Sequence, residues 1–187
     1  MNVLKEKVAL ITGCSGGIGR ETAIRFAEEG ANLAICARTQ SKLEETAEIC
    51  RKKGAEVLAV VCDIIDRAQL ENLVKQTADR FGRIDILINN AVDAKPGIPF
   101  LQQTEADLMT VFKSGYLATW RLMQLCYPYL KESHGKIINF ASPAGLTGTE
   151  GYAAYASVKE AIRGLSREDA GSVPIIAMSA NAFADDI

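Results

Sequence analysis

This sequence predicts an α/β fold built on a parallel sheet, and three observations carry that prediction. Short apolar runs alternate with longer amphipathic segments, the pattern of successive βαβ units. Four glycines fall within residues 13–19, between the first apolar run and the first amphipathic one. Gly30, Gly54 and Gly82 each stand just past an amphipathic segment, where a helix commonly stops. With 187 residues, 48% of them hydrophobic, the chain suffices for a single domain with a sizeable core spanning residues 1–187.

In order, Val8–Thr12 is the first strand, residues 13–19 form a glycine-rich turn, and residues 18–29 the first helix. Residues 31–37 are the second strand. The second helix starts at Ser41, an N-cap with Glu44 three residues on, and runs to Lys53. Residues 56–62 make the third strand, 66–81 the third helix and 84–89 the fourth strand. A loop holding Pro96, Gly97 and Pro99 follows. Thr104 then caps one long helix that reaches Lys131, its last turns bent by Pro128. Residues 136–141 are the fifth strand and 152–166 a helix. After a turn at Gly171 and Ser172, residues 173–178 are a sixth apolar run, and 180–187 read as frayed first turns of another helix.

Composition narrows the function classes. The net charge is −2 with no long block of either sign, which argues against nucleic-acid or anionic-membrane partners. Cys14, Cys36, Cys50, Cys62 and Cys126 show neither a CxxC pair nor metal-ligand spacing, so no metal is expected and the thiols read as reduced. Charges occupy the N-terminus where a signal peptide needs an apolar run, and no apolar stretch reaches membrane-spanning length. A cytoplasmic protein is expected.

Two constellations carry chemistry. Tyr155 and Lys159 are four residues apart and share a helix face; a cation beside a phenol favours the phenolate and makes it a proton donor and acceptor. The alternative is a solvated helix face. The strand ending at Ser142 delivers a hydroxyl nearby. The turn containing Gly13, Ser15, Gly17, Ile18 and Gly19 joins a strand to a helix, where free amides and the helix dipole attract a pyrophosphate. At the end of the second strand there is no carboxylate for a ribose 2′-hydroxyl; Arg38 followed by Thr39 favours a 2′-phosphate, hence NADP, with NAD possible. Arg38 is otherwise a surface cation. Asp63 either accepts a hydrogen bond from an adenine amino group or opens an Asp-rich turn.

Together, residues 12–19, Cys62-Asp63, Asn89-Asn90-Ala91, Ser142, and Tyr155 with Lys159 resemble the short-chain dehydrogenase/reductase family, in its order and spacing, over residues 5–165. The resemblance implies a doubly wound Rossmann fold and hydride transfer between a nicotinamide and a secondary alcohol or ketone. It implies that Tyr155 is the acid/base, that Lys159 binds the nicotinamide ribose and tunes Tyr155, and that Ser142 orients the carbonyl. Asn89 and Ala91 join the cofactor-binding residues. It also implies a homodimer through the long helix and the Tyr/Lys helix, with Met109, Phe112, Tyr116, Trp120 and Met123 as the apolar face. Burial of that face within the protomer is the alternative.

Three departures from the family pattern stand out. Val92 replaces a glycine after Asn89-Asn90-Ala91, beside the expected ribose. Phe112 replaces an asparagine that supports a proton relay, and Lys113 and Ser114 are expected to face elsewhere on the helix. Beyond Leu165 the sequence leaves the pattern: residues 166–187 resemble a fragment of a response-regulator receiver domain, with Ser179 at its switch hydroxyl. The expected result is a truncated, six-stranded sheet whose last strand is borrowed, without the family's substrate lid and seventh strand. An oxidoreductase impaired by loss of that lid is the favoured function. The alternative is a non-catalytic NADP-binding pseudoenzyme or chimeric scaffold. His134, the only histidine, reads as a surface residue past a helix end.

Overall fold

A strand covered on both faces has no polar side to show, which is why it reads as a continuous apolar run. β1 (Val8–Thr12) is such a strand, buried at every residue. In the computed structural model, which describes residues 2–95, 97–167 and 171–179, it lies between β2 (Asn32–Ala37) and β4 (Ile86–Asn89). With β3 (Val57–Val61), β5 (Lys136–Phe140) and β6 (Ile175–Met178) it forms a six-stranded parallel sheet in the order β3-β2-β1-β4-β5-β6.

Alternation along each strand divides the core between the two faces. Leu10 and Leu87 pack under α3 (Arg67–Phe81) and α5 (Ala118–Glu132), with Leu70, Leu73, Leu122 and Leu130. Ala9, Ile11 and Leu33 face α1 (Gly17–Glu28) and α2 (Gln40–Lys52), against Ala23, Ala27, Leu43 and Ala47. The sheet is doubly wound, as expected. The chain moves outward from β1 to β3 and then returns to the other side of β1 for β4. A crevice opens at that reversal, beyond the C-terminal ends of β1 and β4.

Several boundaries differ from expectation. The N-cap of α2 is Thr39, and Ser41 lies inside the helix; Leu43 N–H already donates to Thr39 O at 3.0 Å, and starting there buries Leu43 in the core. The single long helix is interrupted. Thr104 does cap α4 (Glu105–Val111), through a reciprocal capping box with Asp107. The next segment, Phe112–Leu117, is a π-helix leading into α5. Pro128 is accommodated within α5, which continues to Glu132. A 3₁₀ turn at Phe100–Gln102 and the short α6 (Ala144–Thr147) were not anticipated. α7 (Ala153–Leu165) carries Tyr155 and Lys159. β6 occupies the expected slot, pairing with β5 from Ile137↔Ile175 to Phe140↔Met178. The helix start expected at residues 180–187 lies outside the described residues.

Candidate active site

The crevice is a cleft of about 670 Å³. Its floor is the glycine turn, tied down from two sides. The N–H groups of Gly13 and Cys14 both donate to Cys36 O on β2, at 2.9 and 3.0 Å. From the β4 side, Asn90 Nδ2 donates to Thr12 O at 2.9 Å, while Thr12 Oγ1 accepts from the Asn90 and Ala91 N–H groups, each at 3.1 Å. The glycines divide by function. A Cβ on Gly13 would meet Asn90 Nδ2 at 2.7 Å, and one on Gly19 would meet the Gly13 carbonyl carbon at 2.9 Å; at Gly16 and Gly17 the space is open. Gly13 and Gly19 therefore close the turn against its support, and Gly16 and Gly17 leave its outer side clear. The first turn of α1 has no acidic residue. Its N–H groups lack intrahelical acceptors and lie at the positive end of the helix dipole. This cradle fits the pyrophosphate of a dinucleotide.

Also bordering the cleft, Arg38 Nη1 donates to Asp93 Oδ2 at 2.8 Å. Asp63 serves as a turn residue, accepting from Ile65 N–H at 3.2 Å while its own N–H donates to Gln69 Oε1 at 2.8 Å, and it also borders the cleft.

The cleft also holds the phenol–amine pair. Lys159 is buried, and its Nζ donates to Phe140 O at 2.5 Å. The same nitrogen lies 5.5 Å from the centroid of the Tyr155 ring. Burial pushes the Lys159 ammonium down to about 8. Tyr155 borders both the cleft and a second cavity of about 220 Å³, lined among others by Ile98, Gln103 and Tyr152. Ser142 follows Ala141 at the end of β5, and its Oγ accepts the Ala144 N–H at 3.3 Å. It borders neither cavity.

A sequence profile described as short chain dehydrogenase matches residues 7–175. The chain belongs to that family. The 12alpha-hydroxysteroid dehydrogenase of a Clostridium species is 44% identical over 176 residues, 89% of this chain and 67% of that protein. The 3-oxoacyl-(acyl-carrier-protein) reductase of Staphylococcus aureus is 31% identical over 180 residues, 95% of this chain and 73% of that protein. A crystal structure of NAD+-bound xylitol dehydrogenase superimposes with a TM-score of 0.90 at 30% identity, covering 95% of this chain and 70% of that one. The chain spans about two thirds of the length of its curated relatives. The family match continues to residue 175, into β6, past the limit expected at residue 165, and it gives no support to a receiver fragment starting at residue 166.

Among the residues expected to bind cofactor in this short-chain dehydrogenase, Gly13, Ser15, Ile18, Arg38, Asp63, Ala91, Tyr155 and Lys159 border the cleft. Gly17, Gly19, Thr39 and Asn89 do not. The Asn89 side chain turns inward and donates to Asn139 Oδ1 at 2.8 Å; Asn139 in turn donates to Ser166 Oγ at 3.0 Å. Its neighbour Asn90, named only as part of a motif, makes the clamp on the glycine turn. Val92 packs against Val111, Val158 and Ile162 while bordering the cleft. Phe112 joins the same apolar cluster and stacks on Tyr116 at 5.4 Å between ring centroids.

The expectation that Lys113 and Ser114 face elsewhere is corrected: both border the cleft. The expectation took Phe112 as the position facing the site, whereas Phe112 packs into the cluster with Val158 and Ile162 and the cleft lies on the face of the residues next to it. Ser114 Oγ donates to Thr110 O at 2.7 Å and accepts the Asp93 N–H at 2.9 Å, fixing that turn to the loop after β4. Ala106, Met109 and Thr110 complete the wall. Together with Lys113 and Ser114 they recur at three- and four-residue spacing, which is the signal for this wall in the sequence. Gly115 has no room for a Cβ, which would meet Val158 Cγ1 on α7 at 2.8 Å.

Proposed function

We propose that this chain carries an NADP(H)-dependent oxidoreductase site acting on a secondary alcohol or ketone. The observation that carries the proposal is the buried Lys159 ammonium beside the Tyr155 ring, at the end of a cleft whose other wall is the glycine cradle. The nicotinamide dinucleotide, when bound, accepts or supplies the hydride. The chain's own groups do the rest. The turn at residues 13–19 receives the pyrophosphate, and Arg38 the 2′-phosphate. Ala91 and Lys159 border the ribose and nicotinamide end. In the oxidising direction the alcohol carbon gives up a hydride and the hydroxyl gives its proton to the Tyr155 oxygen; reduction reverses both movements. Lys159, held by the Phe140 carbonyl, faces the negative charge that proton loss leaves on the phenol oxygen. Ser142 is assigned to orient the substrate oxygen.

A second reading, a non-catalytic nucleotide-binding scaffold, is favoured by one observation: Ser142 Oγ is engaged with the Ala144 N–H and lies off both cavities. The two readings separate in one experiment. NADPH binding is measured by fluorescence, and turnover with a panel of ketones and secondary alcohols. The enzyme reading expects Tyr155→Phe to bind NADPH as before and to lose turnover by about 10²-fold or more. Binding without any turnover in the unmodified chain selects the scaffold.

We also propose a homodimer through the long helix, now α4, the π-turn and α5, together with α7. Phe112 and Tyr116 are half-buried against α7 within the protomer, whereas Met109 and Trp120 remain exposed at 43% and 41%.

A further inference from the structure

The Arg38–Asp93 ion pair joins two loops that belong to opposite sides of the crevice. Arg38 follows β2 and Asp93 follows β4, and these strands flank β1 on either side. Their side chains meet at 2.8 Å above the strand that ends in the glycine turn, and both border the same cleft. Asp93 is held there from behind, since its backbone N–H donates to Ser114 Oγ at 2.9 Å. A dinucleotide laid across the ends of β1 and β4 has to pass this bridge. Its phosphates and the Asp93 carboxylate carry like charge and seek the same guanidinium.

We propose that Asp93 is a specificity-determining residue: it straps Arg38 across the cleft and competes with the cofactor's 2′-phosphate for it. The inference rests on the reading of Arg38 as the 2′-phosphate ligand. Two states follow. In one, Arg38 is paired with Asp93. In the other, Arg38 is released to the phosphate, and Asp93 is left to solvent. Because the side chains are 63% and 41% exposed, water and salt screen the pair, and the competition is worth a few-fold in affinity, not orders of magnitude. NADH has no 2′-phosphate to claim the guanidinium, so Asp93 affects its binding less. The carboxylate thus narrows a preference that Arg38 alone would make steeper.

The test measures dissociation constants of NADPH and NADH by titration calorimetry for the unmodified chain, D93N, R38A and the double variant. Asp93→Asn keeps the side-chain shape and the backbone bond to Ser114, and the site is exposed, so the variant folds. The expected result is NADPH binding about two- to fivefold tighter in D93N, with NADH nearly unchanged. In the R38A background, D93N should leave the NADPH-to-NADH ratio where it was. If D93N leaves that ratio unchanged, or tightens both nucleotides equally, while R38A does lower it, the strap is overturned and the NADP reading survives. If R38A itself leaves the ratio unchanged, Arg38 does not hold the phosphate and both ideas fall together.

Discussion

Lys159 carries an ammonium into the interior with one carbonyl to receive it, that of Phe140. Burial lowers it from 10.5 to about 8, which amounts to about 3 kcal/mol of destabilisation near neutral pH. The sign follows from proton counting. Between about pH 8 and 10.5 the unfolded chain holds a proton that the folded one has released, so stability rises with pH across that window. Below it, the folded protein carries the full cost of the buried charge. Denaturant unfolding of the unmodified chain and Lys159→Met, compared between pH 7 and 10.5, should give a difference curve that climbs through this window by about that amount. A flat difference curve would show that Lys159 is solvated and would remove its place beside Tyr155. The same residue scale exposes what sequence spacing misses. Tyr155 and Lys159 were legible because four residues make one helical turn. Asn89 and Asn90 were not separable, because adjacent strand residues point to opposite faces and the motif does not say which face is the cleft.

The glycine turn is an element whose sequence and geometry agree, yet its four glycines do different work. Gly16 has extended backbone, φ 171°, and open space around it. Gly19 has Asn90 Nδ2 and the Gly13 carbonyl where a Cβ would go. Gly19→Ala should therefore destabilise the fold by about 1–3 kcal/mol through overpacking and abolish nucleotide binding as the turn shifts. Gly16→Ala should leave stability within about 0.5 kcal/mol, the range of a surface change, and weaken nucleotide binding alone. Thermal unfolding with NADPH titration reads both; equal destabilisation by the two variants would contradict the division. The long helix teaches the opposite lesson. Its start at Thr104 is a local matter of one hydroxyl and one carboxylate, and it was legible. Its π-turn is met by α7 at Gly115 and by the loop after β4, whose Asp93 N–H donates to Ser114 Oγ, contacts between segments far apart in the chain.

At the scale of the whole molecule, the proposed homodimer rests on an apolar face that runs from α4 through the π-turn into α5. Phe112, Tyr116 and Trp120 form a ladder of rings, 5.4 and 6.2 Å between successive centroids. The protomer covers its inner members and leaves Trp120 and Met109 outside. An isologous dimer buries the same patch on both copies. Light scattering should report twice the 20.2 kDa protomer mass, and Trp120→Glu should halve it without lowering the unfolding temperature of the protomer. A strictly monomeric unmodified chain at high concentration removes the proposal. Among the described residues no helix is long and apolar enough to cross a membrane.

The sequence by itself determined the sheet. Strands buried on both faces must be apolar throughout, helices between them must be apolar on one side, and glycines must stand where the backbone turns left-handed or approaches its support; these are local requirements written residue by residue. Only the tertiary structure decided which groups share the cleft. The meeting of Arg38 with Asp93, the inward turn of Asn89, and the placement of Ser142 off the cleft all depend on how loops from separate strands are brought together. No spacing along the chain encodes a distance between segments that meet only when the sheet closes.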